Sequence, residues 1–126
     1  MSDTSFQFDN RLDQAFLDSI YEGDLEHAQM VFDDFVNRVP SQMADIDREF
    51  QHRNQTEFRQ KVHKLKPVFS YVGLTSLMQQ AEEMEKQCLQ IHTLDEINHL
   101  YSAFKSAYQQ ALPIIEQELN RLNEAA

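Results

Sequence analysis

Glycine is scarce in this chain, with two in 126 residues, beside three prolines, one cysteine and no tryptophan. A β-sandwich or barrel turns often and tightly, and its turns draw on Gly, Pro and Asn-Gly pairs. That class is excluded, and abundant Gln, Glu, Leu, Ala and Met point to a handful of long helices. A lone Cys88 cannot form an internal disulfide, so nothing implies an oxidising compartment. No apolar run approaches the roughly 18 residues of a membrane helix. The start, MSDTSFQFDN, lacks the basic-then-apolar layout of a secretory signal. A cytoplasmic protein is expected. There is no Gly-rich phosphate loop, nucleotide motif or Asp-rich metal cluster, so an enzyme with its own nucleotide site is not expected.

Hydrophobic residues at 41% and charged residues at 25% suit an ordinary globular domain, and the length suits one domain over 1–126 with residues 1–9 flexible. The net charge of −10 argues against general nucleic-acid binding, because phosphates would be repelled. That charge is uneven. Twelve of the 21 acids precede Asn54, whereas none lies between Glu57 and Glu82, where Arg59, Lys61, Lys64 and Lys66 fall. An acid-free basic island in an acidic chain is a candidate anion site.

Apolar spacing predicts the helices. Leu12, Phe16, Leu17 and Ile20 mark a short first one, which Tyr21-Glu22-Gly23-Asp24 ends, with Gly23 at C′ and Asp24 as the next N-cap. The second carries Ala28, Val31, Phe32, Phe35, Val39, Met43, Ile46 and Phe50, with a bend expected at Pro40. His52-Arg53-Asn54 reads as a turn, and Asn54 with Glu57 resembles a capping pair. The third helix holds Phe58, Val62, Leu65, Phe69 and Val72 and stops near Gly73. The fourth runs through Leu74, Leu77, Met78, Ala81, Met84, Cys88 and Ile91. Thr93 caps the last, which shows Leu94, Ile97, Leu100, Tyr101, Phe104, Tyr108, Ala111, Ile115, Leu119 and Leu122, with Pro113 inside. Long amphipathic helices joined by short turns pack as an antiparallel up-down four-helix bundle, all-α, with the short helix capping one end.

The chemistry concentrates in His63-Lys64-Leu65-Lys66-Pro67-Val68-Phe69-Ser70-Tyr71-Val72-Gly73. His63 neighbours the core position Val62, so its ring stands at the flank of the apolar stripe. Lys66 lies one turn on along the same face, and Ser70 continues it. A partly exposed neutral imidazole is a competent nucleophile toward phosphorus, and a fixed cation beside it offsets the charge of the transition state. The hairpin turns near Gly73, which brings Met84, Glu85 and Lys86 opposite His63. Glu85 is then placed to accept Nδ1–H and leave Nε2 to attack.

His-x-Leu-Lys-x6-Gly within a four-helix bundle resembles the histidine-containing phosphotransfer (HPt) domain of two-component phosphorelays. The Tyr21-Glu22-Gly23-Asp24 turn and the long Phe- and Val-rich helix reaching Val39-Pro40 are similar to that family too, so the resemblance covers the chain from about Leu12. It implies a phosphocarrier with His63 as phosphoacceptor, Lys66 as the nearby cation and Gly73 as the small residue ten positions on, supported by Lys64, Ser70 and Glu85. The implied partners are receiver domains of response regulators and hybrid histidine kinases, whose carboxylate-lined pocket matches the basic island. The resemblance implies no cofactor or metal on this chain; Mg²⁺ belongs to the receiver. A free-standing monomer without nucleic-acid or membrane partners is expected. The family's usual glycine four residues after the histidine is Pro67 here. Proline removes the N–H that would bond the His63 carbonyl, and it is expected to kink the helix and open the ring to solvent.

Two other readings compete. Glu49-x-x-His52 and Glu96-x-x-His99 match the Glu-x-x-His pattern of di-iron bundles. At 100° per residue, however, His52 stands about 200° from the core residue Phe50 and points outward, and His99 stands likewise to Ile97. A bundle that only binds partners, no longer phosphorylated, finds its support in Pro67. His27 and His92 read as solvated, Cys88 as a small core residue and the methionines as core filling.

Overall fold

A computed structural model describes residues 6–126. It contains α1 (Gln14–Tyr21), α2 (Leu25–Gln51), α3 (Gln55–Tyr71), α4 (Thr75–Gln87), a 3-10 turn at Leu94–Ile97 and α5 (Asn98–Ala125), with no strand among the described residues. None of these helices is long and apolar enough to cross a membrane.

Local chemistry sets the boundaries. The carboxylate of Asp13 accepts the Phe16 N–H and starts α1. Glu22 and Gly23, both at positive φ, turn the chain out of it. Asp24 then accepts the His27 N–H and starts α2. Expectation and structure part at three places. Asn54 makes no side-chain cap; its amide instead donates to Glu49 Oε1 at 2.8 Å. The fourth helix stops at Gln87 rather than reaching Ile91. Thr93 and Glu96 do form a capping box, but on the 3-10 turn that precedes α5. Pro40, Pro67 and Pro113 all lie within helices that run on past them.

Around the bundle α2 packs on α3 and α5, while α4 packs on the same two, so the four long helices close a ring. Their inner stripes meet in one core. Phe32, Phe35, Phe58, Phe69, Tyr101 and Phe104 are each less than 2% exposed. At roughly 1.5–3 kcal/mol for burying one such side chain, this aromatic spine is a main source of stability. Tyr101 stacks on Phe50 with centroids 4.2 Å apart, and its hydroxyl donates to Asp47.

The start expected to be flexible, residues 1–9, is described only from Phe6 onward. Residues 1–5 lie outside the described part, but Phe6–Asp13 lies along the bundle. Phe8 is 4% exposed and stacks on Phe32 at 6.0 Å. The Asp9 N–H donates to Glu118, whose carboxylate also pairs with Arg121. Arg121 in turn donates to the Gln7 carbonyl and covers the Phe6 ring. Glu118, 1% exposed, is the buried charged residue of the described structure and lies on the inward line of Ala111, Ile115 and Leu122. The Asp13 N–H reaches the Gly73 carbonyl at 2.9 Å, and Thr75 Oγ1 donates to Asp13. Tyr21 Oη closes the seam on the Tyr71 carbonyl. The N-terminal segment and α1 thus sit over the turn that joins α3 to α4.

Candidate phosphoacceptor site

On α3, Val62 and Leu65 point into the core, and His63 between them emerges at the edge of the buried face with its side chain 61% exposed. The antiparallel α4 presents Glu85 next to buried Met84, directly across from it. His63 Nδ1 lies 2.6 Å from Glu85 Oε2. An ionised carboxylate only accepts hydrogen bonds, so Nδ1 is the donor, and in the neutral ring Nε2 carries the lone pair. The other oxygen, Oε1, takes the Lys66 ammonium at 2.9 Å, and Glu82 approaches the same ammonium at 3.9 Å. The register anticipated from the Gly73 turn therefore holds for His63 and Glu85.

Lys66, the expected cation beside the imidazole, is engaged by α4. Its side chain is only 21% exposed, and two carboxylates occupy its charge, so it braces Glu85 rather than standing free beside the imidazole. Sequence spacing placed Lys66 on the correct face, but the carboxylates that engage it come from another helix. Burial by itself would raise the Glu85 carboxyl; the hydrogen bonds from Lys66 and His63 and the Lys66 charge outweigh it and hold the group below its ordinary value. A group depressed on folding contributes stability above its unfolded value and loses it as pH falls through the folded one. The His63–Glu85–Lys66 contact is therefore expected to persist from neutral pH down to 4.5, the ordinary value, and to be lost only below it. A carbon-13 titration of the Glu85 carboxyl checks this, and a midpoint at or above 4.5 contradicts it.

The remaining candidates scatter. Lys64 is exposed and lines a shallow cleft between α2 and α3 with Gln42, Asp45, Ile46 and Lys61, away from Glu85. Ser70 is half-buried on the His63 face, and its side chain makes no hydrogen bond among the described residues. Gly73 serves the fold. With φ +78° and Leu17 Cδ1 only 2.8 Å from where a Cβ would stand, it lets α1 and the N-terminal segment close over the turn. Pro67 is exposed within the continuous α3, and the His63 ring one turn before it is open to solvent. Phe69 packs against Phe35 and Phe104 in the core.

The basic island is partly neutralised, since Lys61 pairs with Glu49 at 2.8 Å. Glu49 is thereby engaged away from His52, and Glu96 accepts the N–H groups of His92 and Thr93; His52 and His99 face outward. No group of three His, Cys, Asp or Glu among the described residues is placed to hold a metal. Cys88 is buried, and burial pushes its thiol up to about 11.

The arrangement offers one exposed imidazole with a fixed tautomer, supported from behind by a carboxylate and a lysine. A family model described as the Hpt domain matches residues 30–125, a span from within α2 to the end of α5 that contains the whole constellation. No curated protein and no solved structure matches the chain.

Proposed function

Because the chain belongs to the Hpt domain family, whose members transfer phosphoryl groups in two-component signalling, we propose that His63 Nε2 accepts a phosphoryl group from the aspartyl phosphate of a receiver domain and returns it to another such aspartate. The observation that carries this reading is the exposed His63 ring with Nδ1 held 2.6 Å from Glu85.

In the forward step the Nε2 lone pair forms the N–P bond while the P–O bond to the aspartate breaks, and the aspartate leaves as a carboxylate. The proton on Nδ1 stays in place, so the phosphorylated ring is cationic, and Glu85 stabilises that charge. The ring needs no proton shuttle, which makes the step readily reversible, as a carrier requires. The receiver contributes Mg²⁺ and its acidic pocket, and the unpaired cations on α3 complement that pocket. The chain acts in this scheme as a monomeric cytoplasmic phosphocarrier, a substrate and donor rather than a kinase.

The test is incubation with phosphorylated receiver domains of response regulators and hybrid histidine kinases. At least one should transfer a single phosphoryl group that is lost in acid and kept in base, the behaviour of a phosphoramidate. Failure of every receiver to label a folded chain would overturn the proposal.

A further inference from the structure

In a chain of net charge −10, nearly every cation has found a carboxylate. Arg11, Arg38, Arg48, Arg53, Lys61, Lys66, Lys105 and Arg121 all lie in ion pairs. Arg59, Lys64 and Lys86 have no such partner among the described residues, and all three belong to the α3–α4 hairpin that carries His63.

Their directions separate them. Lys64 follows His63 by one residue, is turned about 100° around the helix and lines the cleft toward α2. Lys86 follows Glu85, and with Met84 pointing into the core it is carried about 200° from that inward direction, to the outside of α4. Arg59 alone shares the His63 face, one turn earlier at i−4, where Cβ atoms stand about 5–6 Å apart. It is half-buried on the side of α3 that faces α4, near enough to Cys88 for its charge to act on that thiol. Helical side chains lean toward the N-terminus, so the His63 ring covers the turn that contains Arg59. Lys66 sits on the opposite side, one turn later, already occupied by Glu85 and Glu82.

Building on the phosphocarrier reading, we infer that Arg59 is the residue that contacts the phosphoryl group on His63 Nε2, whereas Lys66 is a positioning residue acting through Glu85. Glu85 fixes Nδ1 and so directs Nε2 away from the Lys66 ammonium. A guanidinium one turn back offers two N–H groups to phosphoryl oxygens, a geometry suited to phosphate. Among the described residues it has no carboxylate to release first.

The experiment uses the full chain and two donors: a phosphorylated receiver, and phosphoramidate, a small donor with no docking surface, from which ammonia leaves as the N–P bond to His63 forms. Arg59→Ala is expected to slow labelling from both by about tenfold to a hundredfold, below the full effect of a buried preorganised donor because the site is open to water. Arg59→Lys should recover most of the rate, and Lys86→Ala should stay within about threefold of wild type, ordinary surface behaviour. Lys66→Met should shift the nitrogen-15 signal of His63 Nδ1, which Arg59→Ala leaves in place; circular dichroism verifies that each variant is folded. Wild-type labelling rates for Arg59→Ala with both donors overturn the inference and leave the phosphocarrier reading standing. Slowing with the receiver alone makes Arg59 a docking contact and also overturns it. A wild type that neither donor labels overturns both.

Discussion

His63→Gln is expected to abolish the acid-labile, base-stable phosphoryl label entirely, while the helical circular dichroism and the urea midpoint stay at wild-type values. The two halves of that result have separate causes. Glutamine keeps a polar side chain able to meet Glu85, but an amide nitrogen has no lone pair available for phosphorus, so the N–P bond cannot form. The fold is indifferent because His63 is 61% exposed and contributes little apolar burial. Solvent-exposed substitutions of this kind usually move stability by about 0.5 kcal/mol or less. Equal labelling of wild type and variant would refute the assignment of the acceptor. His27, His52, His92 and His99 would then be the residues to replace next.

Phe8→Ala is expected to have the largest effect on stability, lowering the unfolding free energy by about 3–5 kcal/mol, the range for truncating a buried phenylalanine. Domains are stable by only about 5–15 kcal/mol, so this is a large share. Phe8 touches Phe6, Tyr21 and Phe32 and is 4% exposed, so truncation leaves a cavity where α1, α2 and the N-terminal segment meet. Urea unfolding measures it as a lower midpoint with the slope nearly unchanged. A loss below about 1 kcal/mol would mean that residues 6–13 detach without the rest noticing, in conflict with the Glu118 and Gly73 contacts. Folded Phe8→Ala protein should still label at His63, the proposed acceptor, because His63, Glu85 and Lys66 all lie outside the N-terminal segment.

The two expectations differ in how far each could be read from the residue order. The helical stripes were legible because burial repeats with the helical period. Phe32, Phe35, Val39, Phe58, Val62, Phe69, Tyr101 and Phe104 all point inward as spaced. Glu85 was legible for a related reason, since an antiparallel hairpin with a short turn ties its two arms into register. Lys66 was only half legible. Its face follows from the period, but Glu82 and Glu85 claim it across helices, and a charge pattern along one helix does not reveal a partner on the next. Phe8 was not legible at all, and Glu118 was legible only by position. Phe8 lies outside the helices without a repeat to expose it, whereas Glu118 keeps step with Ile115 and Leu122 but is a carboxylate whose partners, Asp9 N–H and Arg121, the period does not reveal. Asn54 had the right type and spacing for a cap, yet its oxygen accepts no helix N–H and its NH2 donates to Glu49 instead.

Among the described residues, the carboxylate on His63 and the lysine behind it come from the single α3–α4 hairpin, on a surface supplied by α2 and α5. The His63–Glu85–Lys66 constellation is therefore a modular cassette. Its register is set by one short turn, and its parts are neighbours in the chain, so loop-closure entropy hardly opposes its assembly. Grafting residues 55–87 onto another antiparallel bundle that offers an equivalent apolar groove should transplant the imidazole together with its carboxylate and lysine braces. The outer helices would then be free to diverge with the choice of partner.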